Sequence, residues 1–148
     1  MKTVYSIGFS EKSAEDFFKL LEDVKVTKIV DIRRNNKSQL AGFAKSKDLK
    51  YFLMKIANIK YEHILDLAPP DELLKKYQKD KNWNYYEIKF NGILTNKDLK
   101  TIFEKIIDKN EVVCLLCSEN KPINCHRRLV LEYIKNNIQD IDIIHLVK

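Results

Sequence analysis

The segment from Val112 to Cys117 constrains the fold of this chain more than any other part of its sequence. It reads VVCLLC, an apolar run with no polar side chain inside it. The run is far shorter than the roughly 20 apolar residues that a membrane span needs. A strand that is apolar on both faces has to be covered on both, as at the centre of a parallel sheet flanked by helices. The sequence therefore predicts an α/β protein with this strand near the middle of its sheet.

Short β-rich segments alternate with helical patterns along the rest of the chain. Strands that are separated by helices join through right-handed crossovers into a mostly parallel sheet. We therefore expect a single α/β domain over residues 1–148, a three-layer sandwich whose sheet of about five strands carries helices on both faces. The predicted strands are Val4–Ile7, Lys28–Ile32, Lys60–Leu65, Glu111–Cys117 and Asp142–Val147.

Local patterns predict the starts or the identity of three helices. Ser13, with Asp16 three residues later, resembles a capping box at the start of a helix. The stretch Trp83–Leu94 is rich in residues that favour strands, but its apolar positions fall on one helical stripe, which favours a helix. Asn124 is predicted to N-cap a helix that begins at Cys125.

Composition narrows the class of protein. The chain is 45% hydrophobic and 32% charged, which is typical of globular proteins. Its start, MKTVYSIGFSEK, lacks the apolar segment of a signal peptide, and three cysteines argue against a disulfide framework. We expect a cytoplasmic protein that has no membrane partner and needs no cofactor to fold.

The arginines indicate an anionic partner. The net charge is +6, and only four of the 27 basic residues are arginine, in the adjacent pairs Arg33–Arg34 and Arg127–Arg128. A planar guanidinium binds phosphate or carboxylate through two parallel hydrogen bonds, which lysine cannot do. The clustering therefore predicts an anion site.

Residues whose side chains could bind a ligand or take part in catalysis follow the ends of several predicted strands. Ligands of open α/β sheets bind beyond the carboxyl ends of the strands, so these residues are expected to meet at one edge. They are Ser6, Gly8, Ser10, Asp31, Arg33, Arg34, His63, Cys117, Glu119, Cys125, His126, Arg127 and Arg128.

The three cysteines are expected to differ. Cys114 and Cys117 spell C-L-L-C, but residues three apart in a strand face opposite ways, which argues against a redox or zinc pair and for a packed Cys114. Cys125 lies in the first turn of a predicted helix beside positive side chains, which predicts either an accessible thiolate or a packed structural thiol. The expected order of alkylation is Cys125, then Cys117, then Cys114.

A metal site is not predicted. The ligand types are present, but their spacing does not match a compact zinc knuckle, and two adjacent arginines would repel a cation. The candidate metal ligands are Cys117, Glu119, Cys125 and His126.

Arg127 is predicted to lie in the first turn of a helix, where its positive charge is unfavourable next to the helix dipole. It is therefore expected to have an anionic partner, either Glu119, Asp31 or a ligand.

Four blocks resemble the domain of unknown function 488 family. They are TVYSIGFS, VDIRR, YEH and CLLCSENKPINCHRRLV, the last with a C-x-E-x5-C-H-R core. The resemblance implies an α/β fold and no particular reaction. The loop NNKSQLAGF departs from the proline- and arginine-containing loop of the family, so no substrate contact is carried over to it. The site residues implied are Gly8, Ser10, Arg33, Tyr61, His63, Cys117, Glu119, Cys125, His126 and Arg127.

The favoured hypothesis is an enzyme that acts on a phosphate-bearing or other anionic small molecule, or a nucleotide. Arg33 and Arg127 would bind the anion beside Gly8, Ser10 and His63. Cys125 or Cys117 would be the nucleophile, and Glu119 and His126 would transfer or orient protons.

The alternative is a nucleic-acid-binding module without catalysis, and a non-catalytic adaptor is a third hypothesis. Nucleic-acid binding would use lysines outside the edge of the sheet, such as Lys75, Lys76, Lys79 and Lys81. Aromatic residues of the 83–94 segment could stack on bases, but their helical stripe favours packing in the core.

Overall fold

The protein folds around one five-stranded sheet. The structure is a computed structural model that describes residues 2–37, 39–107 and 110–148. All pairings between neighbouring strands are parallel, and the strand order is β3-β2-β4-β1-β5. The predicted α/β sandwich is confirmed. The strands are β1 (Lys2–Gly8), β2 (Lys28–Asp31), β3 (Lys60–His63), β4 (Val113–Cys117) and β5 (Ile141–Leu146).

Strand β4 occupies the centre, as its apolar sequence predicts. All of its residues are buried, and it lies between β2 and β1. Val113 and Leu115 face one core, whereas Cys114 and Leu116 face the other. Because side chains alternate along a strand, Cys117 lies on the same face as Leu115 and opposite to Cys114.

Six α-helices cover the two faces. Helices α1 and α2 pack on the face that contains Cys114, and α3 to α6 pack on the other. None of the helices in the described ranges is long and apolar enough to cross a membrane. The helices are α1 (Ala14–Asp23), α2 (Ser46–Phe52), α3 (Asp71–Asp80), α4 (Trp83–Thr95), α5 (Leu99–Ile106) and α6 (His126–Asn137).

The helix starts show where local signals succeed and fail. Ser13 caps α1 by accepting a hydrogen bond from the Asp16 N–H, and the 83–94 segment is helical, as predicted. The predicted cap of α6 is wrong, because Cys125 and not Asn124 is the N-cap residue. Cys125 has extended backbone angles, φ −136° and ψ 138°, and its side chain makes no capping hydrogen bond. The helix therefore begins one residue later, and the Cys125 sulfur is free to face the strand.

The connections between the strands create a crevice at the carboxyl edge of the sheet. From β1 the chain runs towards β2 and β3, whereas from β4 it runs past β1 to β5. Neighbouring strands whose connections leave in opposite directions create a crevice beyond their carboxyl ends. The N-terminus of α6 follows β4 at this edge, so Cys117 and the start of α6 lie next to each other.

Candidate functional site

A pocket of about 210 Å³ opens at the carboxyl edge of the sheet. One side is formed by the residues that follow β2 and β4 and by the start of α6, and the other by side chains of α3 and α4. Five of the predicted site residues line it: Arg33, Cys117, Glu119, Cys125 and His126.

Arg33 is held in place by a buried ion pair. Its Nε and Nη2 donate to the two carboxylate oxygens of Asp31 at 2.9 Å and 2.8 Å, and both side chains are at most 2% exposed. The Tyr61 hydroxyl and the Asn36 amide also donate to Asp31. Burial alone would raise the pKa of Asp31, but Arg33 and Tyr61 outweigh it and hold the pKa below its ordinary value. The carboxylate stays charged, and the guanidinium is fixed.

The remaining nitrogen of Arg33 has no partner. Among the described residues, its Nη1 is the buried side-chain atom that lacks a hydrogen bond. Leaving a charged donor buried and unpaired costs free energy, so such a group calls for an explanation, and a ligand is one. The guanidinium carbon of Arg33 lies 5.3 Å from the centroid of the Phe9 ring. The main-chain carbonyl of Arg33 accepts a hydrogen bond from His63 Nε2 at 2.8 Å.

Arg127 is wholly buried and is bound by neutral oxygens. Its Nε donates to Ser6 Oγ and its Nη2 to the Asn120 carbonyl, both at 2.9 Å, and its Nη1 donates to the Glu119 carbonyl. The expected carboxylate partner is wrong: Glu119 offers its main chain, and Asp31 is paired with Arg33. Arg127 is therefore a buried cation whose oxygen partners carry no charge.

The surroundings of Cys117 favour the charged form of its side chain. Burial alone would raise the pKa of its thiol, but a hydrogen bond from Cys125, the Arg127 charge and the backbone N–H groups of Ser118 and Glu119 together lower it below the ordinary value. The end of β4 therefore favours the thiolate form of Cys117 beside the buried Arg127 cation.

Of the two alternatives for Cys125, the structure favours the packed thiol. Cys125 is 2% exposed, and burial together with the neighbouring Cys117 raises the pKa of its thiol. Its S–H donates to the Cys117 sulfur over an Sγ–Sγ distance of 2.6 Å. The dipole of α6 acts on both sulfurs, and the backbone N–H groups of Ser118 and Glu119 add to its effect at Cys117.

His126 connects the thiol to the sheet. Its Nε2 lies 2.7 Å from the Ile32 carbonyl and must carry a proton to bond with it. In the neutral ring, Nδ1 is then an acceptor, and it lies 3.4 Å from Cys117 Sγ. A nucleophile, a base and a group that orients the base are thus arranged in sequence.

The same side chains could hold a metal ion. The ligand atoms of Cys117, Cys125 and His126 lie within 4.8 Å of one another, and all three residues are buried. Glu119, the fourth candidate ligand, is not part of this group and is exposed.

Five predicted site residues do not line the pocket: Gly8, Ser10, Tyr61, His63 and Arg127. Gly8 packs against the Glu119 main chain, and the Ser10 N–H donates to the Ser118 carbonyl at 3.0 Å. His63 supports Arg33 from an exposed position, and Arg127 lies behind the sulfurs. These residues support the loop after β4 and the arginine of the pocket.

Two aromatic side chains of the pocket were not predicted from the sequence. Tyr77 of α3 and Trp83 of α4 both line the pocket, with ring centroids 5.6 Å apart. The helical stripe of α4 correctly places Tyr86 and Phe90 in the core. Trp83 belongs to that stripe, but it is the first residue of the helix and is only partly buried. Its place immediately after the Asn82 cap was the available signal, because helix ends lie at sheet edges.

Comparison with known families identifies the fold family. The family described as Domain of unknown function DUF488 matches residues 13–134. The chain belongs to the DUF488 family. The match contains β2, β3, β4 and α6 up to residue 134, and with them every residue that lines the pocket. Searches of curated proteins and of solved structures gave no match for this DUF488 chain.

The cysteine environments predict an order of reactivity in this DUF488 protein. We expect brief iodoacetamide treatment near neutral pH to alkylate Cys117 at least about 10-fold faster than Cys125, because the thiolate is the nucleophile. Cys114 should react last, because complete burial raises the pKa of its thiol. Peptide mass mapping of the folded protein measures the order, and the urea-unfolded protein is the control in which all three should react alike. Faster labelling of Cys125 would contradict the assignment.

Proposed function

We propose that this protein is an enzyme that binds a phosphate-bearing or other anionic small molecule, such as a nucleotide, and attacks it with the Cys117 thiolate. The observation that carries the proposal is that Arg33, whose buried Nη1 has no hydrogen-bond partner among the described residues, lines the same pocket as Cys117. An unused charged donor next to an activated nucleophile is the arrangement that acyl- or group-transfer sites require.

Each side chain of the pocket has a role in this proposal. Arg33 binds the anion through Nη1, while Asp31 holds the guanidinium of Arg33 in place through its other two nitrogens. Cys117 attacks the bound molecule as its thiolate, and His126, whose Nδ1 lies 3.4 Å from Cys117 Sγ, exchanges protons with the bound molecule. Glu119, exposed at the mouth of the pocket, exchanges protons with water or with the leaving group.

The remaining predicted site residues position these groups. Arg127 stabilises the thiolate from behind, so the role of anion ligand falls to Arg33. Gly8 and Ser10 hold the loop after β4 against β1, and His63 holds the main chain of Arg33. These contacts support a pocket that is formed before the ligand arrives.

The proposal predicts that Arg33→Lys weakens anion binding at least about 10-fold. The single ammonium group of lysine can pair with Asp31, but it leaves no second nitrogen that can bind the anion. Trp83 is the only tryptophan and lines the pocket, so its fluorescence reports binding directly. Adenosine monophosphate and inorganic phosphate are the probes.

Arg128→Lys is the matched control, because Arg128 does not line the pocket and pairs with Glu132 and Glu87 at its surface. Its titration should equal that of the unmodified protein. If neither probe binds, or if Arg33→Lys binds both as tightly as the control, the anion site is refuted.

The alternative of a nucleic-acid-binding module has less support. Two of the lysines that it would use are engaged in helical ion pairs, Lys75 with Asp71 at 3.0 Å and Lys76 with Asp80. Such pairs reduce the positive potential of α3. Binding to the phosphate backbone would weaken steeply with salt and would depend on these lysines, whereas a pocket enzyme would tolerate their replacement.

A further inference from the structure

Two of the three thiols lie almost within bonding distance. The Sγ atoms of Cys117 and Cys125 are 2.6 Å apart, and a disulfide bond measures about 2.05 Å, so an approach of less than about 1 Å would join them. The two residues are separated by the loop that joins β4 to α6, and neither side chain lies within a regular helix. Cys114 is on the opposite face of the sheet and cannot take part.

We propose that a hydroperoxide oxidises Cys117 and that Cys125 then closes a reversible Cys117–Cys125 disulfide. Both thiols line the pocket, so a molecule as small as hydrogen peroxide reaches them without unfolding. The pair is thus a peroxide-sensitive modification site at the centre of the candidate active site.

The chemistry balances in two steps. The Cys117 thiolate attacks one peroxide oxygen, so that an S–O bond forms, the O–O bond breaks and the leaving oxygen takes a proton as water or alcohol. The Cys125 sulfur then attacks the Cys117 sulfenic acid, so that an S–S bond forms, the S–O bond breaks and the hydroxyl leaves as water with the proton of Cys125. Two thiols and one hydroperoxide give one disulfide, one alcohol or water, and one water.

The positions of the sulfurs favour this chemistry over a metal site. Two thiolates bound to one tetrahedral ion at about 2.3 Å lie roughly 3.8 Å apart, so the sulfurs would have to separate by more than about 1 Å to hold one. The Arg127 guanidinium, with Nη1 3.5 Å from Cys125 Sγ, also opposes an added cation. Oxidation to a disulfide brings in no cation.

The consequence for activity rests on the proposed function, because the disulfide would remove its nucleophile. The oxidation itself does not depend on it. Loss of anion binding in Arg33→Lys tests the proposed function, and a mass measurement without any ligand tests the disulfide, so the two can fail separately.

The experiment treats the reduced full-length chain with hydrogen peroxide and follows its intact mass and its non-reduced peptide map. We expect a loss of two hydrogen masses, a linked pair of peptides that contain Cys117 and Cys125, and full reversal by dithiothreitol. Cys114→Ala should behave identically. Cys125→Ser should form no crosslink and should accumulate oxygen on Cys117 instead, a readout that survives if the variant is less stable.

Three results would overturn the proposal. One is a crosslink that involves Cys114 or a second molecule. Another is an unchanged mass of the reduced chain after excess peroxide. The third is a stoichiometric bound metal that has to be removed with a chelator before either thiol reacts.

Discussion

Gly8→Ala is expected to lower the free energy of unfolding by more than about 3 kcal/mol, or to prevent folding. A β-carbon at this position would lie 1.6 Å from the Glu119 carbonyl oxygen and 2.4 Å from its carbonyl carbon. Both are backbone atoms of the loop after β4, and Gly8 is itself fixed by its pairing with Cys117. Neither side can move without breaking the edge of the sheet.

Gly92→Ala is the matched control. Gly92 lies inside α4, and a β-carbon there would meet nothing within 4 Å. Alanine should stabilise the helix by about 0.5–1 kcal/mol, because it loses less backbone entropy than glycine on folding. Urea unfolding followed by circular dichroism measures both variants. Equal stability of the two would show that the approach of Gly8 to Glu119 is not a structural constraint.

Arg127→Met is expected to destabilise the protein by about 3–5 kcal/mol. Methionine fills part of the volume but leaves the buried Ser6 Oγ and the carbonyls of Glu119 and Asn120 without the arginine donor. It also removes the positive charge that favours the Cys117 thiolate, so alkylation of Cys117 should slow as its pKa rises.

Arg128→Met separates this effect from a general loss of basic charge. Arg128 is the adjacent residue, but it is partly exposed, and its ion pairs with Glu132 and Glu87 are worth about 0–1 kcal/mol. Its variant should keep both the stability and the Cys117 reactivity of the unmodified protein. Urea unfolding and the alkylation rate together test this: if the two variants behave alike, the burial of Arg127 has no special energetic role.

The central strand of the sheet and the faces of its side chains can be predicted from residue patterns in the sequence. VVCLLC can be buried on both faces only in a central strand, and β4 is central. The period of two also separates Cys114 from Cys117 correctly. For the 83–94 segment, helical spacing overrides the β-favouring residue types, because α4 packs Tyr86 and Phe90 into one core.

The electrostatics of the site could not be obtained in the same way. The guanidinium of Arg127 donates hydrogen bonds to the main-chain carbonyls of Glu119 and Asn120. The direction of a main-chain carbonyl depends on the backbone conformation, which the amino-acid sequence does not show. Backbone N–H groups of the loop after β4 lower the pKa of Cys117, and their positions depend on the loop conformation. The helix dipole and the neighbouring charges can be inferred from the sequence, but they act on both sulfurs and do not distinguish them.

The order of the strands also has a consequence for how the chain folds. Strand β1 lies between β4 and β5, and its pairs, such as Tyr5 with Cys114 and Lys2 with Ile141, join residues more than 100 positions apart. Closing such long loops costs entropy before any contact repays it, which makes folding slow. During synthesis β1 therefore waits, without a sheet neighbour, for the last third of the chain. Until β4 inserts between β1 and β2, the two strands have no shared neighbour, and the pocket that depends on the end of β4 cannot form.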